Sequence, residues 1–276
     1  MKTAAVAALA FAALATVHSC RKSGPDPAVS YPEYTEEAAV TIRGYEADAM
    51  EPFITRDGRY LFFNSLNDGQ TTSLYYARRE NDTTFAFQGE MGGVNGSPPH
   101  LDAVASMDEN DIFYVVSTRN YPTEIRNYLS GRFENGLVRE LAPVEGDFYI
   151  RSPAGWIVMD AEISEDGGSL YYVNARFAPA TSSGAGDLYF TRIRKGTLVT
   201  ELCVSVLDTE QGVYSTPKRV EMPGEAVEAP TLTSDGTRIY YHKKLPSDGR
   251  YHVFTMRRKD VPARNSPLGV HPAYPS

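Results

Sequence analysis

Apolar positions along this 276-residue chain fall into three regimes. Residues 4–17 form one unbroken run of Ala, Val, Leu, Phe and Thr, with Lys2 the only charge before Arg21. Such a run is short for a bilayer span and has the size of the apolar part of an export signal. The sequence RKSGPDP (21–27) follows, polar and Pro-rich, a composition that builds no core and suits a tether. Beyond it, short apolar and aromatic bursts alternate with Asp, Gly, Asn and Pro, which predicts strands joined by turns; no stretch carries a convincing helical period.

The bursts repeat. EPFITRDGRYLFF (51–63) sets a pattern that returns as DAEISEDGGSLYY (160–172) and APTLTSDGTRIYY (229–241), and more weakly as DAVASMDENDIFY (102–114). In each, an aliphatic residue stands four places after a key aspartate (Asp57, Asp108, Asp166, Asp235) and two aromatics follow it. A strand that ends at the Asp, an Asp-Gly turn in which Gly supplies the positive φ, and a returning strand too apolar to face water on both sides explain the unit. In the second copy Asn110 or Asp111 takes the place of Gly. Third strands are predicted over 73–77, 124–129, 187–191 and 251–255, and a polar fourth strand over 216–222. Four antiparallel strands repeated in this way make a propeller blade.

The key aspartates are 51, 58 and 69 residues apart, each a blade-sized step. The long last step holds an additional apolar stretch, 201–207. Together with 187–191 it predicts a degenerate blade lacking its innermost strand, so the expectation is five blades, with four as the alternative. An orphan strand, 39–43, precedes the first copy. It is expected to complete the last blade and close the ring, removing an exposed edge. The expected organisation is a signal over 1–19, a tether over 20–36, an all-β propeller over 37–260 and an irregular tail over 261–276.

The Asp-Gly turn followed by aliphatic-aromatic-aromatic resembles the PD40 (WD40-like, TolB-type) propeller repeat. The usual Ser-Pro-Asp-Gly stands here as TRDG, SEDG and TSDG, without the Pro. The likeness covers roughly residues 40–258. It implies four-stranded blades and says little of activity, because PD40 proteins include scaffolds, peptidase propellers and lyases.

Candidate chemistry follows from the same register. Six places before the key Asp stand Glu51, Asp102 and Asp160; at the fourth such position Ala229 has Glu228 beside it. On channel-lining strands these acids form a partial ring, which invites a divalent cation or a cationic group, or else pairs with Arg. No cofactor is otherwise expected. His242 and His252 are predicted to face each other across a hairpin and form a weak metal or proton-transfer candidate. Arg119 and Arg176 follow repeat strands and either meet an anionic ligand or tie blades together through the acids. Trp156 stacks on a sugar or packs between blades. No nucleophile motif, zinc motif or phosphate loop is present.

Charge and cysteines narrow the setting. The formal charge is −8, and loss of residues 1–19 removes Lys2 and no acid, leaving −9. Repulsion makes nucleic acid and anionic lipid poor partners. The sequence VHSC (17–20) resembles a lipoprotein signal, which implies lipidation of Cys20; ordinary cleavage is the alternative. Cys203 then reads as a small apolar strand residue, with a Cys20–Cys203 disulfide as the alternative. The expectation is a monomeric, exported envelope protein, anchored only through lipid or else periplasmic or secreted. It binds a protein, peptide or glycan, with no catalysis required; the alternative is a carbohydrate-active glycosidase or lyase.

Overall fold

The computed structural model describes residues 28–67, 71–97, 100–119, 126–146, 158–168, 170–174, 180–182, 188–193, 200–208, 213–216, 218–223 and 227–260. Among these residues there are 21 strands and no helix. The strands form several antiparallel sheets.

After β1 (Tyr34–Ala39) and β2 (Thr41–Arg43), a first sheet is built from β3 (Met50–Ile54), β4 (Tyr60–Asn64), β5 (Leu74–Asn81) and β6 (Thr84–Glu90), with β2 added beside β6. A second holds β7 (Asp102–Met107), β8 (Ile112–Ser117), β9 (Tyr128–Glu134) and β10 (Leu137–Pro143). A third pairs β11 (Val158–Ile163) with β12 (Leu170–Asn174). A fourth takes β13 (Ala180–Ser182), β14 (Leu188–Ile193), β15 (Thr200–Ser205) and, after a small hairpin of β16 (Leu207–Asp208) and β17 (Val213–Tyr214), β18 (Lys218–Arg219). The last is β19 (Val227–Leu232), β20 (Arg238–Lys244) and β21 (Tyr251–Arg258), with β1 on its outer edge. The first strands of the five sheets pack in a cycle: β3 against β7, β7 against β11, β11 against β13, β13 against β19, and β19 against β3.

The repeat turn is fixed by two side chains. In the first copy Thr55 Oγ1 donates to Asp57 Oδ1 (2.7 Å) and accepts from the Tyr60 amide (3.0 Å). Asp57 Oδ1 in turn accepts from the Arg59 amide (2.9 Å), while Gly58 takes φ +69°. The last copy repeats these bonds with Thr233, Asp235, Thr237 and Arg238. In the third, Ser164 Oγ and the Gly168 amide meet Asp166 Oδ1. Side-chain oxygens thus hold turn amides that no ladder can reach.

The second copy is built differently. Asp108 Oδ1 itself accepts from the amides of Asn110 (2.8 Å) and Ile112 (3.0 Å), and Asp111 adopts φ +61° in place of Gly. The Asp108 amide donates to the Ile112 carbonyl, as the Thr55 amide does to Tyr60. Asp108 therefore occupies the position of Thr55, not of Asp57. The bulges agree. The first strand slips register after Met50, Ala103, Met159 and Glu228, in each case five residues before Thr55, Asp108, Ser164 and Thr233. The true equivalents are Glu51, Val104, Asp160 and Ala229, so Asp102 is two places out of the expected register.

The paired aromatics are explained by strand alternation. Phe62 faces the second sheet, packing on Phe113 (5.6 Å between centroids) and Phe133, whereas Leu61 and Phe63 face a cluster with Ile42, Phe85, Tyr240 and Val253. Tyr240 and Tyr241 divide in the same way between two clusters. The core lies between neighbouring sheets, and both faces of the returning strands β4, β8 and β20 feed it.

Several expectations are corrected. Closure uses β1, paired antiparallel with β21 from Tyr34↔Arg258 to Ala39↔Phe254. Most of the expected closing strand, 41–43, instead runs parallel to β6, because Val40 and Ile42 are buried beside Phe85 in the core of the first sheet. The third strand of the second sheet is Tyr128–Glu134, not 124–129. Of the strand expected over 187–191, Leu188–Ile193 pairs with β15, and that sheet does have an innermost strand, the short Ala180–Ser182. It was illegible because it lacks the Asp-Gly signature. The polar strand predicted over 216–222 is reduced to Lys218–Arg219.

Candidate functional site

The cycle of first strands leaves a small, open-sided cavity whose inner part, about 20 Å³, has room for a water molecule, the rest being open to solvent. Glu51, Phe53, Val104, Glu162, Ala229 and Thr231 are among the residues lining it. Three of them, Glu51 (φ +49°), Val104 (+55°) and Ala229 (+53°), sit in the left-handed region without being glycine. Each belongs to a bulge, so the bulge turns one side chain of three sheets toward the same space. Left-handed backbone at a non-glycine residue costs on the order of 1 kcal/mol, and such strain gathers at functional sites.

The cavity has a polar and an apolar side. Glu162 is buried and meets Arg56 Nη2 at 3.3 Å, with the two side chains 8% and 6% exposed. Arg56 also donates to the Ile163 carbonyl (2.9 Å), and its guanidinium lies 5.1 Å from the Phe53 ring centroid. The Arg56 carbonyl accepts from Ser234 Oγ at 2.5 Å. One residue in the turn of the first sheet thus touches the third and the last. Thr231 Oγ1 is buried without a hydrogen-bond partner. Sequence reading missed Arg56 and Glu162, since neither stands at the acid position of the repeat. The signal was present in hindsight: Glu162 is the one charged residue among Phe53, Ser106, Glu162 and Thr231, which share a structural position.

The other expected residues are distributed as follows. Glu51 lines the cavity, and its amide donates to His242 Nδ1 (2.9 Å). Asp102 is 1% exposed and sealed away from it, accepting from Arg119 Nη2 (2.8 Å) and the Gly96 amide (2.8 Å). Arg119 also donates to Ser117 Oγ and to the Val94 carbonyl, so it ties the second sheet to the loop leaving the first. Glu228 stands beside His242, Oε2 to Nε2 3.6 Å. Arg176, Trp156, Cys20 and the side chain of Asp160 lie outside the described residues. Cys203 is buried on β15.

His242 and His252 do not share a face. The hairpin pairs His242 with Val253 and Lys243 with His252, one residue from the expected register. His242 is buried, whereas His252 meets Asp248 Oδ2 at 2.8 Å near the surface. Among the described residues no three His, Cys, Asp or Glu side chains gather as they would to hold a metal ion. Nor, among them, is any helix long and apolar enough to cross a membrane.

No family model and no curated protein matches the chain. Solved structures similar to it include Zg3597, a family 117 glycoside hydrolase produced by the marine bacterium Zobellia galactanivorans. That structure is 10% identical over 83% of this chain and 90% of that one, with a TM-score of 0.45. The Bacillus subtilis arabinanase Arb43A is 10% identical over 79% and 95%, with a TM-score of 0.46. TolB from Acinetobacter baumannii is 12% identical over 78% of this chain and 44% of that one, with a TM-score of 0.31. At these scores the likenesses carry no argument about activity.

Proposed function

We propose that the chain is a five-bladed β-propeller of the PD40 kind, and that its axial cavity acts on a carbohydrate between Glu51 and Glu162. The observation that supports this reading is the meeting of two glutamates, from the first strands of two sheets, in one cavity with apolar walls. Glycoside hydrolysis needs two carboxyl groups flanking the bond, one giving a proton and the other stabilising or attacking the sugar carbon. Glu162, ion-paired to Arg56, is cast as the carboxylate. Glu51, carried inward by its bulge, is cast as the acid. Phe53, Val104 and Ala229 offer the apolar wall on which a sugar face packs.

A second reading is favoured by Asp102 and Glu162, both locked to arginines. Acids that balance buried arginines hold sheets together, and the protein is then a binding scaffold for an envelope protein, peptide or glycan. Export and lipidation at Cys20 belong to both readings. A panel of polysaccharides and aryl glycosides, scored for released reducing ends, separates them. Under the first reading E51Q and E162Q each lower turnover by at least about 100-fold, the scale of lost general acid–base catalysis. Absence of turnover, with a protein partner recovered by crosslinking, establishes the scaffold.

A further inference from the structure

His242 is on β20 and is 1% exposed. Its Nδ1 lies 2.9 Å from the Glu51 amide nitrogen. An amide only donates, so Nδ1 accepts and the ring proton sits on Nε2. That Nε2 has no hydrogen-bond partner, the nearest acid being Glu228 at 3.6 Å. Tyr251 packs edge-on against the ring at 5.3 Å. The Glu51 amide lies within the bulge, where the β3–β4 ladder jumps from Met50↔Asn64 to Phe53↔Phe62. Its acceptor is thus a side chain of the last sheet, at the residue whose backbone is left-handed and whose side chain lines the cavity.

We infer that His242 is a positioning residue for Glu51: it holds the strained bulge that carries this carboxyl group into the cavity. The inference rests on the reading of Glu51 as the cavity acid. The hold exists only in the neutral imidazole. A proton added to Nδ1 turns the acceptor into a donor, sets two N–H groups against each other and releases the Glu51 amide. Around the ring stand Glu228 on β19, Tyr251 on β21 and Glu51 itself on β3, while Lys243, the next residue on β20, turns to Glu37 and Pro223 and Lys244 lies over the Tyr251 ring. Asp48 stands just ahead of β3, its Oδ1 accepting from the Tyr251 amide. Glu228 is the counter-charge that meets the imidazolium.

The test compares the full-length protein with H242N, H242L and H242Q. Asparagine carries Oδ1 on the same γ carbon as Nδ1 and accepts the amide without titrating. Leucine removes the acceptor, and glutamine moves it one bond away. Hydrogen exchange at the Glu51 amide, at fixed pH, is expected to quicken about tenfold in H242L, as for loss of a buried hydrogen bond, and to stay within about twofold in H242N. The Glu51 amide resonance is expected to move in H242L, where the acceptor is gone, and to stay near its wild-type position in H242N. Turnover is expected to fall in kcat more than in KM in H242L and to recover in H242N. If H242L does not fold, H242N against H242Q decides. Unchanged Glu51 exchange in the variants that lack the acceptor overturns the inference. Absence of turnover, or an active E51Q, overturns the reading of Glu51 as acid instead, while the amide measurement still decides whether His242 holds its backbone.

Discussion

Lys243 Nζ donates to Glu37 Oε1 at 2.7 Å, and this pair, a buried lysine and a half-buried glutamate, joins the last sheet to the N-terminal strand. The ammonium also donates to the Pro223 carbonyl (3.0 Å) and lies 4.1 Å above the Phe254 ring. Tyr241 donates its hydroxyl to the same Glu37 oxygen, and burial together with that carboxylate pushes the Tyr241 phenol far above its ordinary value. Closure is therefore secured by side chains as well as by the β1–β21 ladder.

Replacing Glu37 by Ala leaves the Lys243 charge buried without its counter-charge. The expected cost is about 3 kcal/mol, read as a lower chemical-denaturation midpoint, and K243M in the same chain recovers most of it. A double variant no better than E37A alone would show that the strand pairing, and not the charge pair, makes the seal.

Arg56 gives the parallel case at the cavity. R56M removes the cation that faces Glu162 and is expected to cost about 3 kcal/mol, while R56M combined with E162L returns close to wild-type stability and abolishes any turnover. Stability and activity measured on both variants separate the structural and chemical parts of the pair.

The corrected register makes its own prediction. Asp102→Asn weakens its bonds to Arg119 and Gly96 and is expected to cost about 2 kcal/mol of stability without altering what the cavity binds. Val104→Asp, at the true equivalent of Glu51, changes binding in the cavity. Thermal melting and a ligand titration on both variants check this.

Acid acts on the turns with a definite sign. Burial raises the Asp57 carboxyl, but hydrogen bonds from Thr55 and Arg59 overcome it and hold the group below its ordinary 3.8. Bonds from Ser164 and Gly168 do the same for Asp166. A folded value below the unfolded one gives stability that is complete above the ordinary value and is lost as pH falls through the depressed one. Asp111 is the opposite case, raised by burial and by Asp57. Its charge costs stability at neutral pH, so Asp111→Asn is expected to gain about 0.5 kcal/mol at pH 7, and the gain fades as pH drops toward the ordinary value and below. Melting temperatures between pH 2 and 7 follow both effects.

What was legible in the sequence was whatever the local chain dictates. Asp-Gly turns and aliphatic-aromatic-aromatic strands announce themselves, because each depends on neighbours a few residues away. The β13 strand is the contrary case: three small residues held by their partners, with no signature of their own. The acid ring was half legible. Glu51 was found by counting back from Asp57, and the same count from Asp108 led to Asp102, because a shortened turn let Asp108 do the work of Thr55. Arg56 and Glu162 come from copies more than a hundred residues apart, and no spacing rule links them. The histidine pair failed by a single residue of hairpin register, enough to put one ring in the core and the other near water.

Sharing β1 between the two ends of the chain has a consequence for the order of events during synthesis. The strand Tyr34–Ala39 emerges early and its partner Tyr251–Arg258 emerges last. For the whole interval the first sheet is complete while the last is not, and once made β21 offers a bare edge until β1 is found. Pairing across more than two hundred residues is slow to form. Escape from self-association during synthesis therefore depends on how quickly that one late encounter occurs.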